Sequence, residues 1–133
     1  MTNIQDEYEK AMAVLDDLAK DYLLWVQEDL KKLHQVYSQA LLLQGDRRTN
    51  LITQDLFRIV HDIKGQGSTF GYDLVTCIGN HLCRYIERFD TFDKKQMQDI
   101  KMHIDVLQEI VEKKLVNDGG VLGQDLKIKI EAL

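Results

Sequence analysis

His61 is followed at three residues by Lys64, at four by Gly65 and at seven by Ser68. A neutral imidazole nitrogen is a competent nucleophile near physiological pH, because histidine's reference pKa is about 6.5. Lys64 supplies a flexible point cation close to that nucleophile, and Ser68 supplies a small hydroxyl. Gly65 occupies the neighbouring surface position one turn from His61, so its missing side chain leaves open space beside the imidazole for another protein's surface.

These residues need a helix to bring them together. Leu56, Ile59, Val60, Ile63, Gly67 and Phe70 form one apolar stripe at about 100° per residue. His61 falls roughly 140° from the centre of that stripe, and Lys64 and Ser68 lie within about 60° of it on the same flank. The histidine is therefore expected to look outward. The stretch from Val60 to Gly71 also carries three glycines, and each in a helix interior costs about 1 kcal/mol relative to alanine. Gly65 is read as clearing the surface, Gly67 as letting a neighbouring helix approach, and Gly71 as ending the helix in a left-handed conformation. Asp73 is the expected cap of the next helix.

The chain as a whole is built to supply such a scaffold. Its 133 residues are 44% hydrophobic, it has no proline, and its apolar residues recur every three to four positions. One all-α domain is expected. A net charge of -5 argues against a general nucleic-acid binder. No apolar run approaches the length of a membrane span, and the N-terminus has no signal-like segment, so a soluble, cytoplasmic protein with no membrane partner is expected. Cys77 and Cys83, six residues apart on one predicted helix, cannot easily pair and are read as reduced thiols.

In chain order, Ile4, Tyr8, Met12, Leu15, Ala19, Tyr22 and Val26 begin a helical stripe that continues through Leu30, Leu33, Val36, Tyr37, Ala40 and Leu41. A helix of that length is unusual in a small domain, so a break near Asp16–Asp21 is expected, leaving a short N-terminal helix at about 4–18. Gln44 to Asn50 reads as a loop, and Thr53 as the cap of a helix from about Gln54 to Phe70. Further helices are expected at about Asp73–Arg88 and Lys94–Val116, the latter opened by an Asp93/Gln96 capping box and stopped by Asn117-Asp118-Gly119-Gly120. The tail from Val121 to Leu133 suits either a short packed helix or an irregular segment. Short connections between long amphipathic helices predict an antiparallel up-down four-helix bundle at about 22–116, with the extra N-terminal helix before it and the tail at 117–133 after it.

The pattern His61-x-x-Lys64-Gly65, with apolar Val60 before the histidine and Phe70-Gly71 after it, resembles the histidine-containing phosphotransfer (HPt) domain of multistep two-component relays. The Gly45-Asp46 turn is similar to that family's approach to its active helix. The resemblance covers roughly Tyr22 to Val116. Gln66 and Gly67 replace the small residues that usually follow the Lys-Gly pair, and Asp62 replaces a more typical hydroxyl or small residue, pointing roughly 100° away from His61.

The resemblance implies that His61 is the phosphoacceptor, taking a phosphoryl group from a receiver-domain aspartate and passing it to another. Lys64 would stabilise phosphoryl charge, Gly65 would give steric clearance and Ser68 a hydrogen bond; phosphoryl transfer asks mainly for positioning and for positive charge near the oxygens. The implied partners are response-regulator receiver domains, a hybrid histidine kinase, or both. The protein would carry no cofactor of its own, the magnesium sitting on the partner receiver. Without a P-loop the chain is not expected to be an ATP-dependent kinase. Phe57, one turn before His61, is an apolar candidate for the docking surface, with a boundary core role weighed equally; Gln66 and Arg58 are more often solvated.

Other readings compete with this one. Cys77 and His81, at i,i+4 spacing, could face a common metal. No second pair of ligands accompanies them, however, and His34, His81 and His103 are scattered over three predicted helices, so packing is preferred and no metal is expected. A non-catalytic helical scaffold or inhibitor that binds a receiver without phosphotransfer is the alternative function. A coiled-coil adaptor built on the first forty residues would need a sustained seven-residue apolar repeat, whereas the stripe drifts between three and four, so a monomer is expected.

Overall fold

The computed structural model describes residues 3–43 and 48–133, without the side chains of 48–50. The described residues form five helices: α1 (Ile4–Leu42), α2 (Arg48–Gly67), α3 (Asp73–Glu87), α4 (Lys94–Glu112) and α5 (Gly120–Glu131), with a 3-10 turn Ser68–Phe70 after α2. No strand occurs among them. α1 lies against α2 and α4, α3 lies against α2 and α4, and α5 packs on α3 and α4. The core between them is built from the anticipated stripes, including Leu30, Leu33, Leu56, Ile63, Ile78, Leu82, Ile100, Ile104 and Leu107, all buried.

α1 differs most from its expected form. Its 39 residues run unbroken through Asp16–Asp21, so there is no separate short helix at 4–18. That segment contains neither glycine nor proline, and its acids and lysines are tolerated in a helix once propagation is under way. The helix opens on Asn3, whose side-chain oxygen accepts from the Gln5 N–H at 2.9 Å, a regular N-cap. From Tyr22 onward its inner face is buried, whereas before Ala19 every described residue is exposed.

α2 begins at Arg48, six residues before the expected start at Gln54. Thr53 is therefore inside the helix and buried rather than capping it. Ile52 and Leu56 explain the longer helix: they continue the Val60–Ile63 stripe backward, and the extension adds Ile52 to the core. The Gly45-Asp46 turn lies outside the described residues.

At the other end α2 gives way to the 3-10 turn, and Gly71 takes φ 84°, the left-handed conformation expected of it. Asp73 is the first residue of α3 rather than its cap; Tyr72 occupies the cap position without a side-chain bond.

The capping box of α4 is formed as read. Asp93 accepts from the Gln96 N–H at 2.9 Å, and Gln96 Oε1 accepts from the Asp93 N–H at 2.7 Å. α4 ends at Glu112, short of Val116, because Lys114 turns left-handed and the Leu115 N–H reaches the Ile110 carbonyl at 2.9 Å. The following loop joins the Gly71 turn, with Asn117 N–H bonded to the Gly71 carbonyl and Leu74 N–H to the Asn117 carbonyl. The tail resolves as helix α5, which buries Leu126 and Ile130.

Candidate functional site

The fourth turn of α2 presents His61 to solvent, while Val60 and Ile63 on either side of it are buried. The half-buried Phe57 ring lies one turn earlier, stacked on the imidazole with centroids 6.2 Å apart and planes 28° from parallel. Phe57 thus belongs to the core boundary and flanks the histidine at once. It also lines a cavity of about 400 Å3 with Thr53, Gln54, Ile86, Phe89 and Phe92.

Lys64 is half-buried and directed between helices. Its Nζ donates to Asn80 Oδ1 on α3 at 3.1 Å. The close approach depends on Gly79, where a Cβ would stand 2.7 Å from the Lys64 Cβ. Lys64 also lies within electrostatic reach of Cys83: burial pushes that thiol's pKa up, the lysine opposes the rise, and Glu87 adds to it. Asn80 and Gly79 were not singled out from the sequence. They come from a different helix, sixteen and fifteen residues on, and only the packing of α3 on α2 brings them to the lysine.

The end of α2 is held by a second α3 residue. Thr76 Oγ1 donates to the Lys64 carbonyl at 2.7 Å and accepts from the Ser68 N–H at 2.9 Å. Gly67 faces this contact; a Cβ there would meet Thr76 Oγ1 at 2.7 Å and the Tyr72 carbonyl oxygen at 2.9 Å. The expected close approach is therefore real, and its partner is the start of α3. Gly65, by contrast, has nothing within 4 Å of where its Cβ would be, so open space does stand on the surface one turn from His61.

Ser68 is exposed but opens the 3-10 turn rather than continuing α2. The uniform 100° step used to align it with His61 thus does not hold through the end of the segment. Asp62 is exposed and faces α1, where Asp29 feels its charge. Burial first, then the carboxylates of Asp62 and Glu28, raise the Asp29 carboxyl above its ordinary value, against the pull of Lys32. Arg58 is solvent-exposed in an i,i+3 pair with Asp55 at 3.4 Å, and Gln66 is exposed.

Among the described residues no group of three or more His, Cys, Asp or Glu side chains is arranged to hold a metal. Cys77 and Cys83 are free thiols, half-buried and buried. His34 pairs with Gln108 Oε1 at 3.1 Å. His103 is buried and donates from Nδ1 to the Asp99 carbonyl at 2.7 Å, while the half-buried His81 lines a separate cavity beside it. No described helix is long and apolar enough to cross a membrane.

Comparison of the chain with protein-family models, with curated proteins and with solved structures gave no match.

Proposed function

We propose that the chain is a phosphorelay carrier of the HPt kind, an antiparallel four-helix bundle of α1–α4 with α5 packed against it, in which His61 carries the phosphoryl group. The pairing of α1 with α2 and α4, and of α3 with α2 and α4, supports that bundle. So does the stacking of Tyr22, early in the packed part of α1, on Phe70 just past the end of α2. The single observation that carries the functional reading is the exposed His61 with open space at Gly65 and Lys64 held one turn away by Asn80.

In the transfer step, a lone pair on one ring nitrogen of neutral His61 attacks the phosphorus of a receiver's aspartyl phosphate. The N–P bond forms as the acyl phosphate P–O bond breaks, and the aspartate leaves as a carboxylate, so no proton need move. The other ring nitrogen keeps its proton, and the imidazolium-like phosphohistidine is reactive enough to pass the group to a second aspartate by the reverse step. Lys64 contributes positive charge toward the phosphoryl oxygens, and its bond to Asn80 limits the rotamers it samples. Phe57 and the clear surface at Gly65 form the face on which the receiver docks. The magnesium that assists the reaction belongs to that receiver.

The test is incubation with a phosphorylated receiver domain, followed by acid and base treatment of the chain. The wild type is expected to gain acid-labile, base-stable phosphate and His61→Gln to gain none. Equal labelling of His61→Gln, or no labelling of the wild type by any receiver that binds it, would replace transfer by the scaffold reading.

A further inference from the structure

The first half of α1 stands clear of the remaining helices. At 39 residues and 1.5 Å per residue α1 is about 58 Å long, roughly twice α2. All of its described residues before Ala19 are exposed. They include Ile4 at 83%, Tyr8 at 60%, Met12 at 40%, Val14 at 58%, Leu15 at 57% and Leu18 at 39%. An uncovered helical segment of that size is marginal in water, since helical stability in proteins comes mainly from packing of an apolar face.

The spacing of this face is regular. Ile4, Tyr8, Ala11, Leu15, Leu18, Tyr22 and Trp25 alternate steps of four and three residues, which is the a/d seam of a heptad repeat. The longer stripe departs from this alternation at Met12, where two steps of four follow each other, and again at Tyr22, Val26 and Leu30; the projecting half also carries the regular path through Ala11 and Leu18. In this register Asp6, Glu9, Lys10, Asp16, Asp17 and Lys20 all fall at outer positions away from the seam. Between Ile4 and Leu18 the flanking positions are Gln5, Glu7, Met12 and Val14. Glu7 alone is charged, and in a parallel pair it faces Met12 of the other copy rather than a second acid, so the flanks do not oppose an identical partner. Tyr22 is already covered by Phe70 and Tyr72 of its own chain, at 5.0 and 5.3 Å between centroids, so the open seam runs from Ile4 to Leu18.

We infer that this seam pairs with the same seam of a second copy, making the protein a homodimer through the projecting half of α1. Ile4, Tyr8, Leu15 and Leu18 on the seam, with Met12 and Val14 flanking it, offer at about 100 Å2 each roughly 600 Å2 per chain. Two copies would bury about 1,200 Å2, the lower edge of the range for specific protein interfaces, and the roughly 600 Å2 on each chain stands at the top of what a monomer ordinarily leaves open. The pairing leaves α2 and His61 outside the interface.

Sedimentation velocity of the full chain over a range of concentrations tests this. The expected species has twice the 15.5 kDa chain mass and is converted to monomer by Leu15→Glu with Leu18→Glu. Because both side chains are exposed, the double variant should keep the thermal transition of the remaining helices, which shows that it is folded. Leu42→Glu, at the exposed far end of α1, should remain dimeric. A wild type that is monomeric throughout or larger than a dimer, a dimer that survives the double substitution, or equal disruption by Leu42→Glu would overturn the inference. None of these readouts depends on phosphoryl transfer.

Discussion

Gly65 and Gly67 stand two residues apart on α2, and alanine at each should have opposite effects on stability. At Gly65 a methyl group meets nothing within 4 Å, so Gly65→Ala should stabilise the fold by about 1 kcal/mol through helix propensity while hindering the receiver's approach and lowering the transfer rate. At Gly67 the methyl group would press on the Tyr72 carbonyl oxygen at 2.9 Å and on the Thr76 hydroxyl. Gly67→Ala should therefore cost about 1–3 kcal/mol by overpacking. Urea denaturation of the two variants beside wild type checks both signs. The exposure of His61 and the opening at Gly65 were legible because helical periodicity alone sets them. The Lys64–Asn80 bond and the Thr76 bridge were not, since both depend on which helix packs against α2 and at what height.

At the scale of elements, local chemistry foretold the helix boundary that is made locally. The Asp93/Gln96 capping box is a four-residue motif, and it formed. Asp93→Ala should cost about 1 kcal/mol and lower the midpoint of thermal unfolding by roughly 3–5 °C, with the loss read by calorimetry. The start of α2 was misplaced for a tertiary reason, since packing of the half-buried Ile52 on the core draws α2 back toward Arg48. α4 ends early at the left-handed Lys114, closed by the Leu115 N–H on the Ile110 carbonyl, a turn that no glycine announces. The continuity of α1 was missed for a different reason. A break was expected from length alone, although no residue between Asp16 and Asp21 would cause one.

At the scale of the whole molecule, a buried polar network on α4 ties stability to pH. Burial lowers the His103 pKa, outweighing its bond to the Asp99 carbonyl and the Asp99 charge, with His81 adding to the fall. The histidine is thus neutral in the folded protein at pH values where the unfolded chain already binds a proton. As pH drops below about 6.5, the unfolded value, proton uptake by the unfolded state should erode stability until the lower folded value is passed.

Asp99 acts in a more acidic window. Burial alone would raise its pKa, but the bonds from Tyr85 and Lys95 and the charges of Lys95 and His103 bring it below its ordinary value. Its contribution is therefore lost only as pH falls below the usual carboxylate range. Denaturation midpoints should fall as pH drops below about 6.5 in wild type and be flatter in His103→Gln. An unchanged slope would remove His103 from this account.

The central claim is that one nitrogen of His61 takes a phosphoryl group from an aspartyl phosphate, and phosphorus NMR of the chain mixed with a phosphorylated receiver addresses it most directly. A phosphohistidine resonance that appears as the aspartyl phosphate signal decays, and is absent with His61→Gln, is the predicted result. Decay of the aspartyl phosphate to inorganic phosphate alone, with the receiver bound and no phosphohistidine formed, would contradict it.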